Sequence, residues 1–143
     1  MNRIVRTEHL NIPSSIDQIE KVDSLVESLA ASLGFGHDAL ADIGICVTEL
    51  VMNAIVHAHK EDAEIPVDID ILCCDDGLRI SVRDYGPGFE TNHVPDPTSP
   101  ERLFDDHGRG ILIVKTMMDD VKCTRLDDGM KIESFKKLNE SSK

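Results

Sequence analysis

The sequence predicts an α+β protein, a two-layer α/β sandwich with helices packed on one face of a mixed sheet. Three observations carry this. Apolar residues recur at helical spacing over residues 16–33 and again from about Asp38 to His59. Two alternating apolar segments flank the turn Asp75-Asp76-Gly77, which reads as a hairpin. A third helix and two more strands follow a long connection, giving the order β-α-α-β-β-loop-α-β-β.

Residues 3–11 alternate weakly and read as a first strand, broken by Pro13. Ser15 with Gln18 makes a capping box for the first helix. Ile16, Ile19, Val22, Leu25, Val26, Leu29 and Leu33 form its apolar stripe, and Gly34 and Gly36 end it. In the hairpin, Val67, Ile69 and Ile71 alternate on one strand and Leu78, Ile80 and Val82 on the other. Residues 90–107 hold Pro95, Pro97 and Pro100 with scattered charges; a connection that long inside one domain reads as a functional loop or lid. Gly108-Arg109-Gly110 opens a third helix, ILIVKTMMDDV. Strands near 121–126 and 130–137 are joined by Asp127-Asp128-Gly129. Residues 139–143 read as a loose tail.

The chain has 143 residues, a length that suits one domain over 1–143 able to fold without disulfide or metal. Aromatics are only 3%, with no Trp, which argues against a base-stacking platform for single-stranded nucleic acid. The excess of 27 acidic over 15 basic side chains, a net charge of −12, would repel a phosphate backbone. No continuous apolar stretch reaches the length of a membrane span, and MNRIVRTEHLNIP lacks the apolar core of a signal peptide. Cys46, Cys73, Cys74 and Cys123 form no CxxC, so the thiols read as reduced and the chain as cytoplasmic. His57 and His59 with the two adjacent cysteines make a poor zinc set. Side chains two apart on a helix diverge, as do adjacent ones on a strand. The histidines instead read as helix-end groups satisfied by water or carbonyls.

The second helix has two faces. Leu40, Ile43, Val47, Leu50, Ala54 and Ala58 fall on the side that packs on the sheet. Asp42, Glu49 and Asn53 fall on the other, beside Ile45, Met52 and Val56. Glu49 and Asn53 are one turn apart. An acid and an amide among apolar neighbours suggest the floor of a covered site, while a solvated surface pair is the plainer alternative. After the hairpin comes Asp84-x-Gly86-x-Gly88, and Gly108-x-Gly110 stands at a helix start, where free amides suit an anion. Each pattern alone is weak. No GxxxxGK[ST] is present, and the third glycine of a dinucleotide fingerprint is missing.

In order, however, these motifs resemble those of the GHKL ATPases, whose ATP-binding domain is the Bergerat fold. Among these the chain looks most like the small anti-sigma factor serine/threonine kinases of bacteria. Glu49-Leu50-Val51-Met52-Asn53-Ala54-Ile55-Val56-His57 resembles the N box, and Asp84-Tyr85-Gly86-Pro87-Gly88-Phe89 the first glycine box. His107-Gly108-Arg109-Gly110-Ile111-Leu112-Ile113-Val114, with Met118-Asp119-Asp120-Val121 after it, is similar to the second. The resemblance covers roughly residues 5–137.

The resemblance implies ATP and Mg²⁺ as cofactors. Asn53 would be the Mg²⁺ ligand, and Asp84 would accept a hydrogen bond from the adenine amino group. Gly86 and Gly88 would let the backbone approach base and ribose. Gly108 and Gly110 would present amides to the phosphates beneath the 90–107 lid. Glu49 would be the general base for phosphoryl transfer. Arg109 reads as solvated or partner-facing, and Ser134, on a last strand that often carries a Thr near the adenine, is left out of the site. The implied substrate is a STAS-type anti-anti-sigma protein. The implied partners are an RNA polymerase sigma factor and, as a homodimer, a second copy of the chain. The alternative is a regulator that binds nucleotide and sequesters a partner without phosphoryl transfer; Glu49 favours the kinase, because binding alone needs no base.

Overall fold

The computed structural model describes residues 3–86, 109–139, 142 and 143. The predicted 90–107 lid, Gly88 and Gly108 lie outside them. Five strands form one sheet in the order β1-β2-β3-β5-β4, with β1 Ile4–Pro13, β2 Pro66–Cys74, β3 Gly77–Asp84, β4 Asp120–Leu126 and β5 Gly129–Lys137. Among the described residues three α-helices accompany it: α1 Ile19–Leu33, α2 His37–Met52 and α3 Arg109–Met117.

The predicted element order and two-layer packing match the structure, but the sheet is not mixed. Every neighbouring pair is antiparallel. The reason is an insertion. β3 and β4 run parallel, being joined through α3, yet β5 hydrogen-bonds between them and is antiparallel to both. The β1–β2 ladder closes on Pro13 opposite Pro66, two residues with no N–H to donate.

α1 starts later than predicted. Residues 16–18 are a 3₁₀ turn, and the Ser15 hydroxyl donates to the Asp17 carboxylate instead of capping the helix. Ile16 is therefore left exposed, while Val22, Val26, Leu29 and Ala30 carry the buried stripe. Gly34, at φ 102°, ends α1 in the left-handed region; its N–H bonds Ala31 O and that of Phe35 bonds Ala30 O. α3 stops at Met117, short of the predicted Val121, because Asp120 already pairs with β5.

α2 is the central helix, with α1 on one flank and α3 on the other. Its buried stripe is wider than predicted: Ala39, Ile43, Cys46, Val47, Leu50 and Val51, continued by Ala54 and Ile55. Leu40 and Ala58 are only half-buried. These side chains meet Ile69, Ile71, Leu78, Ile80, Val82 and Ile132 of the sheet and Ile111 and Val114 of α3 in one core. By length and mean hydropathy the run His37–Ala58 would suffice to cross a bilayer, which the sequence analysis did not anticipate; half of its apolar window is buried within the protein.

The end of α2 departs from α geometry. Residues Asn53–Ala58 form a π-helical turn, with His59 N bonding Ala54 O at 3.0 Å, five residues back. Lys60 and Glu61 then take left-handed φ values of 52° and 60° and turn the chain toward β2. The tail is also less loose than predicted. Gly36 N donates to Ser142 O at 2.7 Å, and the Ser142 hydroxyl bonds Lys137 O, so Ser142 docks beside the start of α2.

Candidate functional site

Glu49 lies in the last turn of α2 and is half-buried. Asn53 is one turn further on, at the first position of the π turn, and only 3% exposed. Its Nδ2 is buried with no hydrogen-bond partner among the described residues. A buried amide group left unbonded costs roughly 1–3 kcal/mol, so this one is free to donate to a polar group placed against it. Of the acid–amide pair, Asn53 is thus buried and Glu49 half-buried.

Asp84 ends β3 and is 5% exposed. Its Oδ1 accepts the amide of Gly86 at 3.2 Å and that of Met130, across the β3–β5 ladder, at 3.1 Å. Both of these bonds end on one oxygen, which leaves lone pairs of Oδ2 for a ligand donor. Burial pushes the Asp84 carboxyl above its ordinary value; the two amides, His59 and Arg83 oppose that shift without overcoming it. A buried acceptor oriented by backbone amides is suited to reading an exocyclic amine.

The strand end and the helix end touch directly. A Cβ on Gly86 would stand 2.6 Å from Ala58 O and 2.9 Å from Ala58 Cβ, so no larger residue fits between the glycine turn and the π turn. Gly129 is as constrained: a Cβ there would stand 2.0 Å from Asp84 O. Close packing within the chain thus by itself requires glycine at 86. The structure brings Asp84 and Gly86 into one hydrogen-bonded turn against the segment bearing Asn53. Glu49 makes no hydrogen bond with either carboxylate or carboxamide among the described residues. Gly110 lies in the first turn of α3, which packs on α2 through Ile111 and Val114.

His59 is buried, and its partners are the Ser14 hydroxyl, 2.7 Å from Nδ1, and the Tyr85 amide, 2.8 Å from Nε2, in place of water or carbonyls. No sequence signal marked it, because both partners are distant along the chain. Ser134 pairs with Ile80, four residues down the strand from Asp84; its hydroxyl bonds Ile80 O and contacts Cys46 Sγ in the core. Tyr85 continues outward, stacked under the Arg83 guanidinium at 4.0 Å and hydrogen-bonded to Asp68. A separate cavity of about 260 Å³ opens between α1 and α2, lined by Asp23, Glu27, His37 and Leu40, and contains none of these groups.

Comparison with known proteins points the same way. A family model described as a histidine kinase-like ATPase domain matches residues 12–134. Serine-protein kinase RsbW of Listeria innocua is 30% identical over 139 residues, covering 92% of this chain and 87% of that protein. RsbW of Bacillus licheniformis is 28% identical over 145 residues, covering 97% and 90%. Among solved structures, the RsbU and RsbW domains of a Mycobacterium tuberculosis protein superpose with a TM-score of 0.63 at 19% identity, over 92% of this chain. This chain spans 32% of that longer one, and the likeness is one of fold.

Proposed function

Because this chain belongs to the histidine kinase-like ATPase domain family, we propose that it is a protein serine/threonine kinase that binds ATP with Mg²⁺. The observation that carries the reading is Asp84, a buried carboxylate held by two amides, beside a turn bearing Asn53, a buried carboxamide whose nitrogen has no partner among the described residues and so can donate to a ligand oxygen. The first suits a purine amino group. The second offers an amide oxygen, a hard donor of the kind Mg²⁺ accepts, and few protein ligands are needed for that ion. The residues present therefore fit both groups.

When bound, Mg²⁺ would neutralise charge on the nucleotide phosphates. The chain's own part is mostly placement. Asp84 orients the purine, and Asn53 holds the metal. Gly86, with Gly88 beyond the described residues, lets the backbone approach base and ribose, and Gly110, with Gly108 likewise beyond them, presents amides to the phosphates. Glu49 takes the proton from the attacking hydroxyl, a role open to a half-buried carboxylate one turn from the metal ligand.

The kinase named in the relatives supports an acceptor that is a serine or threonine on a partner protein. We take that partner to be a STAS-type anti-anti-sigma protein, with a sigma factor sequestered by a dimer of this chain. The net charge of −12 suits docking on a basic partner. The test is transfer of label from terminally labelled ATP to STAS proteins of the same genome. Wild-type protein should label one of them on Ser or Thr. Glu49→Ala should lower that rate by roughly 10²–10⁴-fold, the usual weight of a general base, with nucleotide affinity little changed. Undiminished transfer in Glu49→Ala removes the base from Glu49; tight nucleotide binding with no transfer to any STAS protein favours a sequestering module.

A further inference from the structure

The turn that carries Asp84 is anchored by a residue outside the motif boxes, and the direction of each hydrogen bond around it is determined. The Ser14 hydroxyl has one proton and donates it to Ile65 O at 2.5 Å. Its 2.7 Å contact with His59 Nδ1 must then run the other way, from Nδ1–H to the hydroxyl oxygen. That leaves Nε2 as a lone-pair acceptor, which is what the Tyr85 N–H at 2.8 Å requires. The imidazole is therefore neutral and protonated on Nδ1. Asp84 and Asp62 face it and favour a charged ring, but burial outweighs them and lowers its pKa. His59 is 2% exposed, so a lost partner here would not be replaced freely by water.

We propose that His59 is a positioning residue for the nucleotide site: it ties the Asp84-Tyr85-Gly86 turn, through the Tyr85 amide, to the exit of β1 and the loop before β2. This rests on the nucleotide reading above. The turn has two fastenings to the helix end. One is the contact of Gly86 with Ala58, which limits approach without fixing direction. The other is the hydrogen bond to His59, which sets the Asp84–Tyr85 peptide plane. Asp84 Oδ1 in turn binds Gly86 N, so rotation of that plane moves the carboxylate that reads the purine.

The test combines ring-nitrogen NMR of His59 with titration of ADP. At neutral pH the wild-type ring should show a protonated Nδ1 and an unprotonated Nε2; the opposite tautomer or an imidazolium overturns the proposal. His59→Gln keeps a carbonyl acceptor for the Tyr85 amide and should bind ADP within about threefold of wild type. His59→Leu keeps the bulk and loses the acceptor, and should weaken ADP by ~10-fold, the value of about one hydrogen bond. Equal affinity in the Leu protein, or equal loss in both, would mean packing alone and overturns it. Should the Leu protein not fold, Ser14→Ala leaves the imidazole and removes its Nδ1 partner. It should mix the tautomers and weaken ADP several-fold, and no change in either overturns the proposal. Wild-type protein that fails to bind ADP at all defeats the nucleotide reading and this proposal with it, whereas binding by wild type with unaltered His59→Leu defeats this proposal alone.

Discussion

At Asp84, stability and function pull in opposite directions. Burial raises its pKa, so the charged form is disfavoured in the folded protein. The sign follows. The destabilisation is absent below the ordinary carboxylate value, grows as pH rises through the raised pKa, and is complete above it. Asp84→Asn keeps an oxygen for the amides of Gly86 and Met130 and removes the charge. Its melting temperature should exceed wild type at neutral pH, with the gain vanishing in acid, as a calorimetric pH series would read. Its affinity for ADP should fall by roughly 10–100-fold, the weight of a charged hydrogen bond. At this scale the sequence marks Glu49, Asn53 and Asp84 as candidates, because residue type and near neighbours in the chain suffice to single them out. His59 was invisible because Ser14 lies 45 residues before it and Tyr85 lies 26 after it. Only the fold assembles that set.

Among the elements, α2 and the π turn after it do most to form the site. Apolar spacing predicted one helix from about Asp38 to His59, and the helical run ends close to that. What spacing could not give is the change from α to π hydrogen bonding at Asn53, since the inserted residue alters the bond partners while the apolar pattern continues. The strand pattern likewise predicted five strands but not the placement of β5 between β3 and β4, which makes the sheet antiparallel throughout. The π turn and the glycine turn meet at Ala58 and Gly86. Gly86→Ala places a methyl 2.6 Å from a backbone carbonyl, a contact that flexible side chains cannot relieve. It should destabilise the fold by about 1–3 kcal/mol in denaturant unfolding, as overpacking does, and also weaken ADP binding by moving Asp84. Loss of stability with unchanged ADP affinity would show that the turn does not position the carboxylate.

For the molecule as a whole, one core joins all three helices to one face of the sheet, and the site lies where α2 runs out against the end of β3. The opposite face carries polar pairs such as His9 with Asp70, Asn11 with Asp68 and Arg83 with Asp128. Composition and charge foretold a compact acidic domain of this kind. They were silent on the docking of Ser142 beside Gly36, because a short polar segment looks the same whether it is solvated or bonded. The most direct measurement of the central claim is the thermal stability of wild type and Asp84→Asn with and without MgATP. At a hundred times its Kd the ligand adds about 2.7 kcal/mol, which for a domain of this size raises the melting temperature of wild type by roughly 5–10 °C. Asp84→Asn, binding roughly 10–100-fold more weakly, should show only about one half to one sixth of that rise at the same concentration. An unmoved wild-type transition at millimolar MgATP, or an equal rise in both proteins, would contradict a nucleotide held by Asp84.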